Sequence, residues 1–179
     1  MLELNDVLIS GEQSTLSLMA HEGQVTCLVG GSHWLQAMLG FESVVAGFIS
    51  VDGEPLTPKT IRKLRRLMAF VPDRLDDVGE VVVYDAPTMA DVFSLKANRQ
   101  LDAALVQQEL KQTGATGQKA MLLAVAASLD RTILLVDNPM PSSLPYLHRL
   151  AEKGRTVIVA STDRSVMGSA DHLVEIKED

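Results

Sequence analysis

Apolar and polar residues alternate at the start of the chain, in MLELNDVLIS (1–10) and again in STLSLMAHEG (14–23). A period of two is the pattern of a strand with one buried face. These segments are therefore predicted as two antiparallel strands with a turn around Gly11. The pattern then changes. Gln24 to Val29 (QVTCLV) is apolar and rich in β-branched residues, with a glycine on either side, which is the pattern of a strand buried on both faces. Thr132 to Val136 (TILLV) and Thr156 to Ala160 (TVIVA) repeat it, and HLVEI (172–176) is predicted as the last strand. GFISVDGEPL (47–56) reads as a strand followed by an Asp52-Gly53 turn. Trp34 to Leu39 reads as a short helix closed by Gly40, and IRKLRRLMAFVP (61–72) as a basic helical turn running into a strand that Pro72 ends. LDAALVQQELKQ (101–112) and KAMLLAVAASL (119–129) read as helices, and a further short helix ends at Lys153-Gly154.

Buried strands alternating with helices imply an α/β fold with a mostly parallel sheet, carrying an antiparallel β part at its N-terminus. One domain over 1–179 is expected, with an inserted, mainly helical subdomain at about 74–116. Its entrance is acidic, with Asp73, Asp76, Asp77, Glu80, Asp85 and Asp91. This set lacks the Asp-x-Asp-x-Asp-Gly spacing of a calcium loop and reads as a solvated loop.

Composition narrows the function classes. Of 179 residues, 46% are hydrophobic and 22% charged, which excludes a disordered chain. The net charge of −7 disfavours nucleic acid and anionic membrane surfaces as partners. Cys27 is the one cysteine, so no disulfide forms within the chain. The apolar run from Met121 to Leu129 is far short of the roughly 20 residues that span a bilayer. MLELNDVLIS has no positive region and does not read as a signal peptide. A soluble, cytoplasmic protein without direct membrane insertion is expected. His21, His33, His148 and His172 show no metal-ligand spacing.

Four segments, in order, resemble the ATPase domain of ABC transporters. LVGGSHWLQAMLGFE resembles that family's strand, phosphate loop and first helix, and VAGFISVDGEPL the segment that follows. TGQKAMLLAVAASLDRTILLVDNP resembles the signature helix leading into the Walker B strand. GRTVIVASTDRSVMGSADHLVEI resembles the switch-histidine strand and the final strand. The resemblance implies a P-loop NTPase-like ABC ATPase fold. It also implies pairing with another ABC-type ATPase domain, as homo- or heterodimer, contact with a membrane permease subunit, and a place peripheral to the inner membrane through that partner.

Measured against the family, the chemistry is depleted. The phosphate loop pattern is Gly, four residues, then Gly-Lys-Ser/Thr, whose backbone N–H groups and lysine hold the phosphates. Here Gly30 is followed by Gly31, Ser32 and His33 and then by the helix, so about five residues of the loop are absent. Residues 1–58 contain no Lys or Arg, and no aromatic residue precedes Trp34 to stack a base. Ser32 is the one candidate for the magnesium-binding hydroxyl. The glutamine after the third strand is replaced by Asp73, and the signature pentapeptide aligns with Gly114-Ala115-Thr116-Gly117-Gln118. The Walker B aspartate is retained as Asp137, but the general-base glutamate is Asn138, which accepts no proton from water. The switch histidine aligns with Thr162.

The resulting expectation is a non-hydrolysing ABC-type domain acting as a binding or scaffold subunit. Its vestigial nucleotide-binding residues are Gly30, Gly31, Ser32, Gly117, Gln118 and Asp137; no catalytic residue and no metal site are expected. ATP and magnesium enter only under an alternative, an ATP-binding subunit with an atypical site that borrows a cation from a partner chain. A remote alternative is a serine hydrolase, since Ser32, Asp137 and His172 fall in Ser-Asp-His order around a partial nucleophile elbow. Plainer readings stand beside these. Asp137 reads as a carboxylate capping the turn after its strand, Gly117 equally as a helix-start glycine, and Cys27 as an inert core thiol. The basic run Lys59, Arg62, Lys63, Arg65 and Arg66 reads as a solvated helix face.

Overall fold

The structure is a computed structural model that describes residues 1–74 and 102–176. β1 (Leu2–Ile9) and β2 (Leu16–Ala20) pair antiparallel, with Leu2 opposite Ala20 and Leu4 opposite Leu18. β3 (Val25–Val29) leads into α1 (Ser32–Met38), and the chain returns through β4 (Val44–Val51) to the free side of β1. β4 turns at Asp52-Gly53 into the short β5 (Glu54–Pro55). Both turn residues have positive φ, 50° and 78°, as a two-residue hairpin of type I′ requires. The first sheet is thus β2-β1-β4-β5.

β4 begins three residues before the predicted start at Gly47. An irregularity hides its first half, because the register with β1 shifts between Asn5 and Leu8. Gly47 sits at the shift with φ 72°, and a Cβ there would lie 2.3 Å from the carbonyl oxygens of Asn5 and Asp6. Only glycine fits, and the alternation breaks around it.

The chain continues through α2 (Ile61–Leu64) and a 3-10 turn (Arg65–Leu67) into β6 (Met68–Val71). After the undescribed stretch come α3 (Ala103–Gln112), α4 (Gln118–Ser128) and β7 (Ile133–Asp137). Last are α5 (Leu144–Glu152), β8 (Thr156–Ser161), α6 (Arg164–Ser169) and β9 (His172–Glu175). The second sheet is parallel at every pairing, in the order β6-β7-β8-β3-β9. The fold is therefore α/β, with a parallel sheet beside a smaller antiparallel one.

Two cores cover the faces of the parallel sheet. Leu134, Val136, Val157 and Val159 face α4 and α5, while Ile133, Leu135, Ile158 and Ala160 face α1 and the antiparallel sheet. Successive strand residues point to opposite faces, which is why these strands are apolar on both faces along their middle. α3 lies within the expected helical insert; residues 75–101 of that insert, with Asp76, Asp77, Glu80, Asp85 and Asp91, fall outside the described residues.

α6 is an element the apolar pattern did not reveal. Its signal is a cap: Asp163 Oδ1 accepts hydrogen bonds from the backbone N–H of Ser165 (2.7 Å) and Val166 (3.3 Å). Arg65 also departs from expectation. Rather than joining a solvated face, it donates from Nε to the Leu39 carbonyl (2.6 Å) and from Nη2 to that of Gly40 (3.1 Å), and lies 4.3 Å from the Phe41 ring centre. It satisfies carbonyls left open at the end of α1. Among the described residues, no helix is long and apolar enough to cross a membrane.

Candidate functional site

In a parallel sheet all strands end on one side, so the residues following β3, β6, β7 and β8 gather along one edge. These are Gly30-Gly31-Ser32, Pro72-Asp73, Asn138 and Thr162-Asp163. Backbone bonds stitch them together. Gly30 N–H donates to the Ser161 carbonyl (3.1 Å), and Asn138 N–H to that of Ala160 (2.7 Å).

The turn between β3 and α1 is made by two glycines in the left-handed region, Gly30 at φ 72° and Gly31 at φ 73°. Such a turn is open to glycine and strained for other residues. α1 starts at Ser32, two residues before the predicted Trp34. Its head is apolar: a Cβ on Gly31 would meet Ile176 Cδ1 at 2.7 Å and Trp34 Cδ1 at 3.0 Å, and Trp34 is fully buried. From the β1–β2 loop, Glu12 brings a carboxylate oxygen to 2.9 Å from His33 Nε2.

Ser32 and Asp137 come together. The Ser32 hydroxyl donates to Asp137 Oδ1 at 2.6 Å, and Asp137 is 7% exposed. Asp137 thus bonds back to the β3–α1 turn. His172 does not join them. It pairs with Thr26 near the start of β3, whereas Ser32 lies beyond that strand's other end. With serine bonded directly to aspartate and no imidazole between, the Ser-His-Asp relay is not assembled.

A second cluster lies beside the first. Lys119, in the first turn of α4, places Nζ 2.5 Å from Asp73 Oδ1 and also donates to the Asn138 carbonyl. Asn138 Nδ2 donates to the same Asp73 oxygen at 3.2 Å. The Lys119 bond, with help from Asn138 and the charge of Arg74, holds the Asp73 carboxyl below its ordinary 3.8 despite some burial. Lys119 is the residue that sequence reasoning missed; the available signal was its place directly after Gly117-Gln118. Gly117 is the helix-start residue of α4, at φ 87° and ψ −169°, a conformation suited to glycine, and Gln118 is the first helical residue. Among the described residues, no cluster of His, Cys, Asp and Glu with metal-binding geometry occurs.

No family model matches the chain. The arabinose import ATP-binding protein AraG of Pectobacterium atrosepticum is 23% identical over 214 residues, covering 99% of the chain and 42% of the relative. An uncharacterized ABC transporter ATP-binding protein of Haemophilus influenzae is 25% identical over 170 residues, covering 82% of the chain and 65% of the relative. The chain spans about two fifths of the length of the arabinose-import relatives. Among solved structures, the dimeric bacterial ABC transporter cassette MJ0796 superposes with a TM-score of 0.78 at 18% identity, over 99% of this chain and 94% of the other. The ABC transporter subunit cbiO1 of Clostridium perfringens gives 0.74 at 20% identity, over 98% and 84%. The chain has the fold of the ABC ATPase cassettes, and its sequence is similar over nearly its whole length to ABC ATP-binding proteins.

Proposed function

We propose that this chain is the cassette subunit of an ABC transporter-type assembly, with an atypical nucleotide site that does not hydrolyse ATP on its own. The Ser32–Asp137 bond carries the reading. It joins the turn before α1 to the end of β7, where the resembled family keeps its magnesium-binding hydroxyl and its Walker B aspartate. The subunit is cytoplasmic and reaches the inner membrane through a permease partner.

The similar proteins favour an ATP-binding subunit over a scaffold without nucleotide, since those reported are described as ATP-binding. This chain's residues fit only part of that role. The Ser32 hydroxyl and Asp137 carboxylate suit a magnesium ion. The triphosphate is not matched: residues 1–58 supply no cation, and Trp34 and Ile176 crowd Gly31. Uncompensated phosphate charge is strongly unfavourable at short range. We therefore assign the missing cations to a partner chain. Asn138 supplies no base for attack by water.

A nucleotide-independent scaffold is the second reading, favoured by Lys119, which lies against Asp73 rather than open to a phosphate. Thermal unfolding of the isolated chain, with and without magnesium and ATP, and again with an intact cassette partner, separates the two. A shift of this chain's own transition that grows with ATP only in the pair supports the atypical site; no ATP-dependent shift of this chain's transition in either setting supports the scaffold. Turnover by the isolated chain contradicts both.

A further inference from the structure

The Asp73 cluster also bears on how α4 is held, whichever of the two readings stands. One carboxylate gathers three segments that are distant in sequence: the residue after Pro72 at the end of β6, the first turn of α4, and the residue after β7. Asp73 lies 46 positions from Lys119 and 65 from Asn138. The Lys119 side chain is only 17% exposed, so its ammonium is held in place rather than sampling solvent. α3 is fastened separately, by the Tyr146 hydroxyl donating to Glu109 and by Arg149 Nη2 donating to the Gln112 carbonyl at 2.9 Å.

We propose that Asp73, Lys119 and Asn138 form an internal latch that holds the start of α4 against the ends of β6 and β7. Lys119 is its positioning residue, and Gly117-Gln118 is the segment it places. The chemistry is a charge-assisted bond shared by two donors on one oxygen. Removing the ammonium leaves Asp73 with Asn138 Nδ2 as its donor and frees the first turn of α4 to open, whereas the hydrogen bonds of the parallel sheet are untouched. The latch thus sets the orientation of α4 rather than the stability of the parallel sheet.

Amide hydrogen exchange on the full chain at neutral pH tests this. Lys119→Met is expected to speed exchange at Met121 and Leu122 about tenfold, the ratio that about 1.4 kcal/mol produces, with Leu134 and Val157 much less affected. Asp73→Asn, which keeps shape and removes charge, is expected to give the same local change, and provides the measurement should Lys119→Met fail to fold. The exchange of charges, Asp73→Lys with Lys119→Asp, is expected to restore much of the protection. Unchanged exchange at Met121 and Leu122 in the single variants would overturn the latch. So would acceleration spread equally over the core strands, or a charge exchange no better protected than the single variants.

Discussion

The hydroxyl of Ser32 and the carboxylate of Asp137, 105 positions apart, are joined by a hydrogen bond of 2.6 Å that ties the glycine turn after β3 to the end of β7. A bond to a charged, largely buried acceptor contributes about 1.5–3 kcal/mol. Ser32→Ala is accordingly expected to lower the urea unfolding free energy by that amount. Ser32→Thr, which keeps the hydroxyl, is expected to recover most of it.

Asp73 makes the latch sensitive to acid. Its folded carboxyl titrates below its ordinary 3.8, chiefly through Lys119, with Asn138 and Arg74 acting in the same sense. A depressed folded value means that the stabilisation is fully present above the ordinary carboxylate range. It fades as pH falls through the folded value. Because the Asp73 side chain is 39% exposed, water and salt weaken the effect. Carbon-13 NMR of the Asp73 carboxyl is expected to show titration below pH 3.8 in the wild type and a return toward that value in Lys119→Met.

Cys27 is expected to be chemically silent. It is fully buried within β3, and burial pushes its thiol up to about 11. The thiolate is the reactive form, so a disulfide reagent at mildly alkaline pH should leave the native protein unlabelled and modify one thiol after unfolding in guanidinium. Rapid labelling of native protein would show that β3 opens.

Trp34 occupies the head of α1 with none of its surface exposed. Trp34→Ala is expected to destabilise by about 3–5 kcal/mol, read as a lower urea midpoint. If the indole were merely a lid over an otherwise intact loop, the change would be much smaller.

The inner strands of the parallel sheet were legible because they are buried on both faces and so are mainly apolar; QVTCLV, TILLV and TVIVA all became strands. β4 was only half legible, since the shift at Gly47 interrupts its alternation. α6 was missed because six residues offer too little periodicity, and its capping Asp163 is a weak signal alone. At the site, order and spacing pointed to Ser32 and Asp137, but not to the bond between them, which depends on two strands far apart in sequence meeting at one edge. Lys119 and Arg65 were hidden for a related reason. A long cation in a polar stretch reads as solvated, and only the folded chain shows which carboxylate or carbonyl it reaches.

The central claim is that this chain alone does not hold a triphosphate, and calorimetric titration of the isolated protein with ATP and magnesium tests it most directly. The expected result is no saturable heat from the isolated chain, with an equimolar pair of this chain and an intact cassette binding more nucleotide than the intact cassette binds by itself. Saturable, magnesium-dependent binding of one ATP per isolated chain, abolished by Asp137→Ala, would contradict it.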